Sequence, residues 1–196
     1  GLAASQLSNL QIDNSNETFF ASGDPTKQRL DAFNETFGND DFVYLLVDVP
    51  DAFAPATLQR VGELADRLEY EVPHLLEMTW IGNVEAIEGV PGGIEIDDLI
   101  PDLYLDADAL ALIGEGAKAD PLYRDRLVAG DGRSLGLLLE FEDYPELGID
   151  PRKDSPPVVN EIVADFADLE IYVVGGPGMD YEMDERTALE APRWLF

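Results

Sequence analysis

Hydrophobic residues along this chain fall into two kinds of run. FVYLLVDV, Phe42–Val49, is apolar almost throughout and predicts a strand buried on both faces. From Pro55 onward Leu58, Val61, Ala65 and Leu68 recur at helical spacing, with Glu63, Asp66, Arg67 and Glu69 on the opposite side. That pattern predicts an amphipathic helix opened by proline, which Pro73 brings to an end. HLLEMTWIG, His74–Gly82, predicts a second strand. The same succession returns later in the chain. LGLLLEFE, Leu135–Glu142, predicts a strand. Ser155 reads as an N-cap, with Pro156 or Pro157 opening a helix whose apolar face is Val158, Val159, Ile162, Val163 and Phe166. Glu170–Val174 predicts the last strand.

Shorter signals surround these runs. Asp24 and Pro25 start a helix over Pro25–Phe37, with Leu30, Phe33 and Phe37 on one face and Gly38 as its stop. Residues 83–120 form a long connection with a turn cluster at GVPGG and a short helix over Asp106–Ile113 that stops at Gly114. Pro121–Val128 predicts one turn of helix, and Asp131-Gly132 a hairpin turn into the third strand. Met179–Trp194 predicts a closing helix.

The resulting order is β-α-β, long connection, β-α-β. Two such units interleaved give an α+β fold, a ferredoxin-like split βαβ sandwich with an antiparallel sheet and its helices on one face. The expected division is a lead-in and helix over 1–40, the sandwich over 41–176 with an insertion at about 83–120, and a C-terminal helix over 177–196.

Charge narrows the function classes. Twelve Lys+Arg stand against 41 Asp+Glu in 196 residues, a formal net charge of −29. Such a surface repels nucleic acid and anionic lipid, so no nucleic-acid partner is expected. The acidity fits a solvated surface of the salt-adapted kind better than a site for cations. With no cysteine, thiolate chemistry and disulfides are excluded. The longest uncharged stretch, Gly1–Ile12, is too short and polar to cross a bilayer. The ends GLAAS and RWLF read as those of a segment of something longer.

Each motif that could carry chemistry falls short. Asp48 ends its strand as a Walker-B acid would, but SGDPTKQRL lacks the glycines and the G-K-[ST] that cradle phosphate. GGPG, Gly175–Gly178, lies between a strand and a helix, yet Pro177 removes an amide and the spacing is not G-x-G-x-x-G. Asp106 and Asp108 begin a calcium-like pattern that continues with Leu110 and Ala111, which offer no side-chain oxygen. Asp40-Asp41 and Asp97-Asp98 read as solvated loop charges. His74 is the single histidine, with neither a nucleophile elbow nor a ligand set around it. Asn16-Glu-Thr18 and Asn34-Glu-Thr36 match the glycosylation acceptor pattern, a match common by chance. No catalytic, cofactor-binding or metal-binding residue is assigned, no cofactor is expected, and no enzyme activity is expected.

The order of segments is more informative. Asp24-Pro25, the Phe37-Gly38 turn, the apolar strand Phe42–Val49 and the helix over Pro55–Glu69 resemble the region outside the first membrane helix of RND-superfamily exporters, the group that includes the MMPL-type lipid transporters. PLYRDRLVAGDGRSLGLLLEF is similar to that family's short helix, D-G turn and apolar strand, and IYVVGGPGMDYEM to its final strand and glycine turn. The resemblance implies an extracytoplasmic porter-type domain on the outer or periplasmic face of a membrane. It implies as partners the membrane helices and a second porter domain of the parent transporter, with hydrophobic or lipid-like substrates and a homo-oligomeric parent. The family's proton-relay residues lie in membrane helices, so none maps onto this chain. The alternative is a soluble ferredoxin-like module that binds a small ligand. Trp80, Ile87, Leu103 and Tyr104 are the apolar side chains available to face a substrate cleft, unless they fill the core beneath the long connection, which is the better expectation.

Overall fold

The apolar run from Phe42 forms the first strand of a computed structural model that describes residues 42–141 and 151–175, together with Pro25, Gln28 and Arg29. Among these residues the elements are β1 (Phe42–Asp48), α1 (Pro55–Glu71), β2 (Leu75–Trp80), β3 (Glu85–Val90), β4 (Gly93–Asp98), α2 (Ala107–Ala119), β5 (Ser134–Phe141), α3 (Pro151–Asp165) and β6 (Glu170–Val174). Pro25, Gln28 and Arg29 are helical; the rest of the helix expected over Pro25–Phe37, the glycosylation-type sites, Asp40-Asp41 and the helix expected over Met179–Trp194 lie outside the described residues.

Four strands make one antiparallel sheet in the order β2-β5-β1-β6, and β3 and β4 make a separate hairpin. The fold is therefore α+β, and the two β-α-β units interleave: β5 lies between β1 and β2, and β1 lies between β5 and β6. The α+β class read from the sequence holds.

One face of the sheet carries the core. Val43, Leu45 and Val47 of β1 are fully buried, and so are Leu135, Leu137 and Leu139 of β5 on the same face. They form one cluster with Leu58, Val61, Leu64, Ala65 and Leu68 of α1 and with Val159, Ile162 and Phe166 beside them. Full burial of each such leucine is worth about 1.5–3 kcal/mol. The strand at Phe42 is not buried on both faces as its composition predicts. Tyr44 and Leu46 are only half-buried, and Phe42 is exposed. An antiparallel sheet with helices on one side leaves the other side partly open, whatever the apolar content of its central strand.

Three further corrections concern helices and turns. The helix in the long connection runs from Ala107 through Gly114 to Ala119. Asp106 caps it, its carboxylate accepting the Ala109 N–H at 2.9 Å. Gly114 is no stop signal here, because its missing side chain makes room for the Phe53 ring, which an added Cβ would meet at 2.6 Å. The later helix begins at Pro151, a full turn before Ser155, so Pro156 and Pro157 lie inside it. Its buried residues Val159 and Ile162, with Phe166 just past its end, are among those the spacing predicts. Ser155 is no cap: it is fully buried and its hydroxyl donates to the Pro73 carbonyl at 2.7 Å. Finally, Pro121–Val128 is a set of turns joined to β5 by an isolated bridge between Val128 and Leu135.

Candidate functional site

The sites of interest follow from what the sheet leaves uncovered. On its open face, alternate residues of β1, β5 and β6 place Phe42, Tyr44, Leu46, Leu138, Tyr172 and Val174 side by side. Phe42, Tyr172 and Val174 are 41%, 48% and 51% exposed. The turns at Leu122–Leu127 cover part of this face. The Tyr44 hydroxyl donates to the Arg126 carbonyl at 2.6 Å, and Gly136, diagonally across on β5, has no side chain to obstruct it. Partial burial raises the Tyr44 pKa, because the phenolate would lose its hydration.

At the end of the sheet lies a polar hollow with Asp48, Asp131, Arg133, Ser134 and Glu170 on its walls. Asp48, the Walker-B-like acid of the sequence, accepts a 2.7 Å hydrogen bond from the Ser134 hydroxyl and stands across from Glu170 in the strand register. Among the described residues no group of acids and histidine has the geometry to hold a metal ion. Asp48 is bound into the strand ends, as its position after the apolar run suggests.

His74 sits at the start of β2 in a left-handed backbone conformation, φ 59°. Its Nε2 is 3.5 Å from the Asp154 carboxylate, which ties β2 to α3. A histidine, an acid and the hydroxyl of Ser155 thus meet at one junction, a proximity the sequence order hides. Full burial of Ser155 and its bond to the Pro73 carbonyl keep that hydroxyl from any substrate.

The four apolar residues singled out in the sequence separate into two pairs. Trp80 is buried and Leu103 packs against the core, while Ile87 and Tyr104 are 63% and 78% exposed. Ile87 belongs to a feature that sequence reasoning missed, the β3–β4 hairpin. GVPGG was legible as a turn, but the alternation in GGIEIDD is also strand-like at period two. Pro91 and Gly92 form the two-residue loop, and Gly92 adopts φ 105°, a conformation that favours glycine. Beside the hairpin and α2 lies a groove of about 470 Å³ lined in part by Glu95, Asp97, Leu112, Ile113, Ala117 and Asp120.

Helix α1 is clamped by two arginines. Arg60 makes a forked pair with Asp168, at 2.9 and 2.7 Å, and lies 4.1 Å over the Phe166 ring. Arg67 reaches Asp165 at 2.8 Å and Glu71 at 2.7 Å. Hydrogen bonding to Arg60 holds Asp168 below the ordinary carboxylate range, and Arg67 does the same to Glu71. These are packing contacts of the helical layer.

No helix of the described residues is long and apolar enough to cross a membrane. No protein-family model matches this chain, and no curated protein matches it.

Proposed function

We propose that this chain is an extracytoplasmic, porter-type domain of an RND-superfamily, MMPL-like exporter, built on a ferredoxin-like split βαβ sandwich. It contributes to the pathway or the gating for hydrophobic or amphipathic substrates and performs no covalent chemistry of its own. One observation carries the reading. β1 begins and β6 ends side by side in the same sheet, with Tyr44 opposite Val174 and Gly175 against the Phe42 carbonyl. The two ends of the described sheet therefore lie together, as a domain inserted between two membrane helices requires. The interleaved order β2-β5-β1-β6 supports the ferredoxin-like assignment. Rigid-body rocking of such a unit opens or closes a cleft shared with the second porter domain.

The absence of cysteine makes the test direct. In a cysteine-free parent protein, Gly89→Cys on the exposed β3–β4 hairpin is expected to react with a membrane-impermeant maleimide in intact cells. Labelling only after lysis overturns the reading.

A second reading, a soluble ferredoxin-like module binding a small ligand between subunits, is favoured by the apolar open sheet face, which a second copy would cover. It expects polar sequence on both sides of this segment in the parent gene. An apolar run of about 20 residues on each side favours the exporter.

A further inference from the structure

We infer that the outer edge of β4 is a docking site for an extended segment of another protein in which apolar and basic residues alternate. The hairpin stands apart from the main sheet, and all six residues of β4 are exposed. The Leu99 N–H bonds to the Val84 carbonyl, which fixes the phase of the ladder. Backbone groups of Ile94, Ile96 and Asp98 consequently point away from β3. On the β3 side the corresponding outward carbonyl of Glu85 accepts the Tyr123 hydroxyl at 2.7 Å, so that edge is tied to the body. Among the described residues nothing bonds to the outward groups of Ile94, Ile96 or Asp98. A bare edge of this kind pairs with an added strand.

Side-chain chemistry defines that strand. Ile87, Ile94 and Ile96 share one face of the hairpin and are 63%, 70% and 55% exposed. Glu95 and Asp97 lie on the other face, and no basic residue lines the adjoining groove. Glu85 and Asp98 stand directly opposite each other, a like-charge pair that destabilises a two-stranded ribbon. An added strand that extends the pleat puts apolar residues beside the isoleucines and Lys or Arg beside Glu95 and Asp97. A second copy of this chain does not fit, because its own β4 would bring Glu95 and Asp97 against the same acids and each copy carries −29.

The test uses an eight-residue amidated peptide alternating threonine and isoleucine with lysine, titrated into the full chain at low salt. NMR amide shifts locate binding and fluorescence anisotropy measures affinity. Controls are a scrambled peptide with contiguous lysines and an alternating peptide with glutamate in place of lysine. Saturable binding of the alternating cationic peptide is expected, with the largest shifts at Ile94, Ile96 and Asp98. Ile96→Pro removes one outward N–H without cutting a β3–β4 hydrogen bond, and should weaken binding about tenfold. The pair Glu95→Gln and Asp97→Asn should weaken it about fivefold while leaving the hairpin formed, whereas Glu69→Gln on α1 should change it less than about twofold. The inference is overturned by equal binding of the scrambled peptide, by largest shifts elsewhere, or by no saturable binding. Self-association of the chain that Ile96→Pro abolishes would also overturn it.

Discussion

At the scale of single residues, Gly136 decides whether the turns over the open sheet face can close. A Cβ at that position would fall within the Tyr44 hydroxyl and 2.7 Å from the Arg126 carbonyl. Neither neighbour moves freely, since the hydroxyl and the carbonyl are bonded to each other. Gly136→Ala should destabilise the protein by about 1–3 kcal/mol, measured by urea unfolding. Tyr44→Phe alone should cost about 1 kcal/mol, the net worth of one hydrogen bond. Because Tyr44→Phe removes the nearest of the atoms the new methyl would strike, though the ring carbon that carried the hydroxyl stays close, the double variant should be less destabilised than the two single effects added together. Additive effects would mean that the ring of residue 44 and the Arg126 carbonyl, not the hydroxyl, are what exclude a side chain here.

At the scale of elements, Arg60 and Arg67 hold α1 to the α3–β6 connection. Asp168 has a lowered folded-state pKa, so its contribution is full above the unfolded value, roughly 4, and is lost as pH falls through the folded value. The thermal stability of the wild type should therefore exceed that of Asp168→Asn at neutral pH, and the difference should vanish in strong acid. Thermal melts of both proteins across that range check this; a difference that persists when the carboxylate is protonated would assign the stabilisation to packing of Arg60 on Phe166. Arg67 stands in the sequence as part of the polar side of α1, but the partners of Arg60 and Arg67 about a hundred positions later could not be read from it. The elements themselves were largely legible, because α1 and α3 carry helical periodicity that burial satisfies, and β1, β5 and β6 are short, strongly apolar runs bounded by turn residues. What the sequence concealed depended on tertiary context. Gly114 reads as a stop and the prolines of α3 as its opening, yet Phe53 needs the glycine as a gap and the helix begins a turn before the prolines. The β3–β4 hairpin was hidden because its alternation rests on only two isoleucines, Ile94 and Ile96, and no core covers them. The candidate surfaces were legible only in outline: Ile87 and Tyr104 are exposed, and Trp80 and Leu103 belong to the interior.

Across the whole molecule the acidity is organised as well as abundant. Asp48 and Glu170, Glu77 and Glu140, and Glu85 and Asp98 each stand opposite one another across paired strands. Directly opposed like charges weaken a sheet, and the net charge of −29 adds a repulsion that reaches further. Salt shortens that reach from about 10 Å at 0.1 M to about 3 Å at 1 M. Raising potassium chloride between these concentrations should therefore stabilise the fold by about 2 kcal/mol, a rise of roughly 4–8 °C in Tm for a chain of this size. Sucrose also favours compact states but does not screen charge, so it separates repulsion from solvent exclusion. Glu69→Lys on the exposed side of α1 supplies the internal control. It should raise Tm at low salt and lose most of that gain at 1 M. A Tm indifferent to salt, or an equal gain from Glu69→Lys at both concentrations, would mean that the opposed carboxylates are hydrated well enough to cost little, and that the acidity serves solubility rather than setting the conditions under which this domain is folded.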